Sequence, residues 1–100
     1  MTESTKKIIE VINAIPKGKV SCYRDIAARA GMPNGALQVA RILHSMSRKY
    51  NLPWYRVLRA DGFIALEKGE GAELQAELLR KEGVEVSKRG GVDFKKYLWN

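Results

Sequence analysis

One cysteine and one histidine are present among the 100 residues. A single thiol closes no intrachain disulfide and builds no cysteine metal cluster. Cys22 and His44 alone are too few for a zinc site of the usual ligand types, so no metal and no cofactor is expected. No apolar run approaches the ~18–20 residues that a membrane span needs. Met1-Thr2-Glu3-Ser4-Thr5 lacks the charged and apolar blocks of a secretory signal. Internal repeats, low-complexity tracts and domain linkers are also missing. The expectation is a small, reduced, cytoplasmic protein without membrane association, folded as a single domain over residues 1–100.

What is plentiful is positive charge. Hydrophobic residues make up 45% and charged residues 29%, an ordinary globular mixture, but the net charge is +7. Residues 1–50 hold nine basic against three acidic side chains, whereas residues 51–100 hold nine against eight. A localised basic surface suits a polyanion, because each phosphate it neutralises releases counterions. The same charge also fits a merely soluble basic protein.

Apolar spacing supplies the elements. Ile8, Ile9, Val11, Ile12 and Ile15 recur every three or four residues, which predicts a helix over 5–15, stopped by Pro16-Lys17-Gly18. Ser21 is positioned to cap a second helix carrying Tyr23, Ile26, Ala27 and Ala30, and Gly31 to close it. Met32-Pro33-Asn34-Gly35 reads as a turn. A third helix over 36–47 turns Val39, Ile42, Leu43 and Met46 toward the core and sends Leu37, Arg41, His44 and Arg48 elsewhere. Two short helices joined by a glycine-bearing turn in the basic half form a helix-turn-helix. Beyond them, residues 57–66 suggest a hairpin turning at Asp61-Gly62. A helix over 70–82 follows, with Leu74, Leu78 and Leu79 on one face and Gly83 ending it. The fold class is mostly α with a small β hairpin, a winged helix-turn-helix-like single domain.

Pro53-Trp54-Tyr55-Arg56-Val57 connects the two halves. It resembles the Pro-Cys-His-Arg-Val segment of the O6-alkylguanine-DNA alkyltransferases, with tryptophan in place of the reactive cysteine. That replacement marks the alkyltransferase-like proteins. The resemblance extends over nearly the whole chain, through Gly18-Lys19-Val20-Ser21-Cys22-Tyr23, Asp25-Ile26-Ala27, Gly31-Met32-Pro33, Gln38-Val39, Asp61-Gly62 and Glu82-Gly83-Val84. It implies no catalytic residue. The parent enzymes accept the alkyl group on a thiolate activated by histidine, and Trp54 and Tyr55 replace both groups here.

The resemblance implies instead a sensor of O6-alkylguanine in double-stranded DNA. Such a protein flips the damaged nucleotide into the former active-site pocket and passes the site to nucleotide excision repair proteins, acting as a monomer. Flipping costs a few kcal/mol, recovered by stacking and apolar contact in the pocket. The implied lesion pocket comprises Tyr23, Trp54, Tyr55, Arg56 and Lys68, with Arg56 bracing the loop from behind through main-chain carbonyls. The implied DNA-binding residues are Ser21, Tyr23, Leu37, Gln38, Arg41 and Ser45, on a recognition helix that enters the minor groove. Leu37 stands where the family carries an intercalating arginine. It either serves as an apolar wedge, cedes that role to Arg41, or merely extends the core face. Two other readings compete: a helix-turn-helix regulator or architectural protein without lesion specificity, and an enzyme relying on Cys22.

Overall fold

A computed structural model describes residues 1–66 and 70–100, apart from the side chain of Glu70. Helix α1 (Glu3–Ala14) starts at Thr2, whose hydroxyl accepts the Thr5 N–H, and its apolar stripe buries Ile8 and Ile12 completely. Helices α2 (Tyr23–Arg29) and α3 (Ala36–Tyr50) form the expected helix-turn-helix and pack against α1. Gly31, at φ +81°, lets the chain leave α2 while its N–H still reaches the Ala28 carbonyl. Helix α3 continues three residues past Ser47 because Asn51 supplies a left-handed cap at φ 51°. Ile8, Ile12, Ile26, Val39, Ile42 and Leu52 make the first core.

A second core lies under the rest of the chain and contains Val20, Leu58, Leu79, Val84, Val92 and Tyr97. Between the two cores runs a parallel sheet of two short strands, β1 (Ser21–Cys22) and β2 (Val57–Leu58), in the register Ser21 to Val57 and Cys22 to Leu58. The fold is mostly helical with a small two-stranded sheet, but the pairing differs from the hairpin expected over 57–66. The chain does turn there, with Arg59 N–H donating to Phe63 O at 2.9 Å. Its second arm then pairs with the C-terminal segment: Phe63 bridges Gly91, and Ile64 N–H donates to Gly90 O. Gly62 permits this approach, since a Cβ there would meet Val92 O at 2.8 Å.

Two further local differences bear on the site. Ser21 does not cap α2: it lies in β1, and Cys22 holds the cap position without a side-chain hydrogen bond. Helix α4 (Glu70–Lys81) buries Gln75, Ala76 and Leu79, while Leu74, expected inside, is 46% exposed. The tail forms a short helix, α5 (Phe94–Tyr97), and then clasps Val20 through hydrogen bonds to Tyr97 O and from Trp99 N–H.

Candidate nucleic-acid interface

The Pro53-Trp54-Tyr55-Arg56-Val57 segment folds as a single 3-10 turn, Trp54–Arg56, running directly into β2. Trp54 and Tyr55 pack edge to face with ring centres 5.9 Å apart. The Tyr55 hydroxyl donates to Glu82 Oε2 at 3.0 Å. Arg56 forks onto the same carboxylate, Nη2 to Oε2 at 2.6 Å and Nε to Oε1 at 3.0 Å, and its Nη1 donates to the Ile15 carbonyl at 2.9 Å. Gly18 N–H completes the set on Oε1 at 3.1 Å. One carboxylate thus joins the loop after α1, the motif turn and the end of α4.

Burial alone would push the Glu82 carboxyl up. The hydrogen bonds from Arg56, Gly18 N–H and Tyr55 outweigh it and hold the acid below its ordinary value. Its bond to Glu82 raises Arg56 in turn, and burial followed by the Glu82 hydrogen bond raises Tyr55. All three therefore keep their usual charge states at neutral pH. The cluster acts as a fixed brace rather than a proton relay.

An open cleft of about 840 Å³ lies between α3, the motif turn and α4. Tyr23, Trp54 and Tyr55, drawn from α2 and the turn, line it together. Arg56 is absent from the lining and braces the turn from behind, with a side chain only 14% exposed. Lys68 falls outside the described residues. From α3 come His44 and Arg48, both exposed, and from α4 come Gln75 and Leu78. The sequence flagged Glu82 only as part of a motif and gave no signal for Gln75, because an amide inside a leucine-rich helix carries no periodic mark.

Leu37 is 64% exposed at the start of α3, which removes the possibility that it belongs to the core. Arg41 and Ser45 follow it at helical spacing and are exposed, and Gln38 is half-buried. Ser45 Oγ donates back to the Arg41 carbonyl at 2.9 Å. Ser21 requires correction as a DNA contact. Strand pairing leaves it 1% exposed, and its Oγ has no partner among the described residues, so it cannot touch a duplex. Cys22 beside it is also buried, does not line the cleft, and has its thiol pKa raised by burial.

A helix-turn-helix with an exposed recognition face, set beside an aromatic cleft that an Arg–Glu pair braces, places the molecule among DNA-binding domains. A family model described as "6-O-methylguanine DNA methyltransferase, DNA binding domain" matches residues 3–84, and the chain belongs to that family. Within it, the chain is similar to the DNA base-flipping protein of Vibrio parahaemolyticus, at 41% identity over 99% of this chain and 98% of the relative. It is likewise similar to Alkyltransferase-like protein 1 of Schizosaccharomyces pombe, at 33% identity over 99% and 96% of the two chains. The crystal structure of S. pombe Atl1 in complex with damaged DNA containing O6-carboxymethylguanine superposes with a TM-score of 0.89 at 31% identity. That match covers 100% of this chain and 97% of the other.

Proposed function

We propose that this protein is a non-enzymatic sensor of O6-alkylguanine in duplex DNA. The observation that carries the reading is the shared cleft of Tyr23, Trp54 and Tyr55, which has no thiol in its lining and adjoins the exposed face of α3. In this reading α3 enters the minor groove, Leu37 or Arg41 fills the space vacated by the flipped nucleotide, and the damaged base stacks in the cleft against Trp54. Tyr23 guides the nucleotide at the cleft edge. Trp54 takes the place of the alkyl-accepting cysteine, so the lesion is held and not repaired. Cys22, buried and with its thiolate disfavoured, is a poor substitute nucleophile. The monomer then hands the marked site to nucleotide excision repair. Similarity to a base-flipping protein and to a protein solved on alkylated DNA supports this reading.

The test is anisotropy titration of paired duplexes, identical except for O6-methylguanine or guanine at one position. Tighter binding of the alkylated duplex is expected, with affinity for the undamaged duplex falling steeply as salt rises. Equal affinity for the pair, combined with preference for one base sequence, would establish the helix-turn-helix regulator instead. Intact-protein mass spectrometry after incubation should show no added methyl. A stoichiometric methyl on Cys22 would overturn the sensor in favour of an enzyme.

A further inference from the structure

A second hollow, of about 360 Å³, opens on a different side of α4 from the aromatic cleft. Ile64, Ala72 and Ala76, all at least half-buried, form its floor, and the exposed side chains of Arg80, Lys88 and Arg89 form its rim. By the helical period, Ala72, Ala76 and Arg80 share one side of α4, whereas Gln75 and Leu78 face the cleft from another. No residue of α2, α3 or the motif turn lines the second hollow, and only Leu66 borders both. The rim is preordered. Arg80 Nη2 donates to Val86 O at 2.8 Å, which holds the guanidinium in place and leaves donors to spare. The 87–91 turn closes on itself, with Gly90 N–H on Ser87 O and Gly91 N–H on Ser87 Oγ, each at 2.9 Å. It lies against the floor, since a Cβ on Gly90 would meet Ile64 Cβ at 3.5 Å. Arg80, Lys88 and Arg89 form no ion pair among the described residues, and Glu73 is the one acidic side chain in the lining.

We infer that this hollow docks an acidic segment of a partner protein. One large apolar side chain of that segment covers the Ile64, Ala72 and Ala76 floor, and its carboxylates meet Arg80, Lys88 and Arg89. Charge complementarity selects the sign of the occupant, because three unpaired cations around an apolar floor repel a basic or neutral-rimmed surface. The floor selects its kind. A duplex backbone brings phosphates to the rim but nothing apolar to cover the floor, whereas a peptide brings both. The inference goes beyond the sensor reading, which calls for a repair partner but names no surface for it. A partner held here leaves α3 and the cleft free for DNA.

The experiment titrates the full chain into the fluorescein-labelled peptide Gly-Asp-Glu-Phe-Glu-Asp-Gly by anisotropy, with and without saturating O6-methylguanine duplex. Matching peptides carry alanine in place of phenylalanine, or lysine in place of every acid. The phenylalanine peptide should bind saturably and equally well with duplex present, and should shift the amide resonances of Ala72, Ala76 and Gly90. Alanine at the centre should weaken binding about tenfold, and the lysine peptide should not bind. Lys88→Glu combined with Arg89→Glu should weaken the phenylalanine peptide about tenfold or more. Lys6→Glu combined with Lys7→Glu makes the same charge change on α1, which packs on the other core, and should alter binding less than about twofold. All four side chains are exposed, so thermal melts should match the wild type. Absence of saturable binding overturns the inference, as does equal weakening by the two double variants, which would reveal attraction to net charge alone. Equal affinity for the alanine peptide removes the apolar floor from the argument and overturns it too. Release of peptide by duplex would make the rim a DNA contact, and a dimer in sedimentation that the Lys88 and Arg89 changes dissolve would make it a self-contact; either result overturns it. Lesion preference kept without peptide binding rejects this surface alone. Peptide binding at the hollow without lesion preference supports the surface and rejects the sensor.

Discussion

Helix α3 and the Trp54–Arg56 turn border the same cleft, but they are held in different ways. On α3, Leu37, Arg41 and Ser45 stand in solvent, and the hydrogen bond from Ser45 Oγ returns to its own helix. In the turn, Glu82 and Gln75 tie the backbone and side chains to α4 and to the loop after α1. The difference separates two tasks. A cleft that must accept a flipped base gains from a wall whose shape is settled before binding, since ordering it on binding would subtract from affinity. A face that slides over duplex gains from side chains free to adjust to phosphates and bases. Changes in the turn should therefore register first in stability, and changes on α3 in binding.

The largest effect is expected at Arg56. Arg56→Ala leaves the Glu82 carboxylate, 8% exposed, without its main partner, and breaking such a pair costs about 3–5 kcal/mol. Urea unfolding measures it, and a loss below that of a surface substitution would dissolve the contrast. The pH dependence has a definite sign. Glu82 titrates below its ordinary 4.5 in the folded protein, so between those values the unfolded chain binds more protons. Stability from this group is fully present above about 4.5 and is lost as pH falls through the folded value. Glu82→Gln should flatten that acid limb of the stability curve.

Trp54→Ala comes next and moves the readout to binding. Stacking on an aromatic side chain contributes about 1–3 kcal/mol per base, so affinity for the alkylated duplex should fall by that amount while undamaged duplex is bound as before. Equal losses on both duplexes would make Trp54 a general contact and not the cleft wall. Tyr55→Phe should do less. It removes the hydroxyl's bond to Glu82 but keeps the edge-to-face packing on Trp54, for a cost of about 0.5–1.5 kcal/mol in folding and an unchanged lesion preference.

These residues also mark what was legible in the sequence. Periodicity located α1 to α3 because each has a broad apolar stripe, and Gly31 and Gly83 marked helix ends because both need positive φ. The motif pointed to Trp54, Tyr55 and Arg56 through residue identity. The sheet was not legible: two-residue strands have no period to detect, and Ser21 meets Val57 only through tertiary packing. Nor was the inward turn of Gln75, since the orientation of α4 is set partly by carbonyls that emerge only once the motif turn has folded. Local pattern reveals stripes and caps. Long-range hydrogen bonding decides which polar group is buried.

The smallest effect on folding is expected at Leu37, where the contrast between the two regions is sharpest. With 64% of its surface already exposed, Leu37→Ala should shift the unfolding free energy by less than about 0.5 kcal/mol, far below the ~2–5 kcal/mol of a core truncation. If Leu37 is the wedge, the same change removes apolar surface that is buried only when a nucleotide leaves the stack. At ~0.8 kcal/mol per buried methylene, partial burial makes the expected loss of discrimination about 1 kcal/mol, or roughly fivefold. The ratio of damaged to undamaged affinity is the quantity to measure, because it cancels changes in general phosphate attraction. That matters for Leu37→Arg, whose added charge should tighten both duplexes together. Arg41, one turn along and also exposed, is the rival. If it fills the gap, Arg41→Ala should lower the ratio more than Leu37→Ala does. An unchanged ratio for Leu37→Ala, with the melt also unchanged, removes Leu37 from the mechanism and leaves it a bystander on the recognition face.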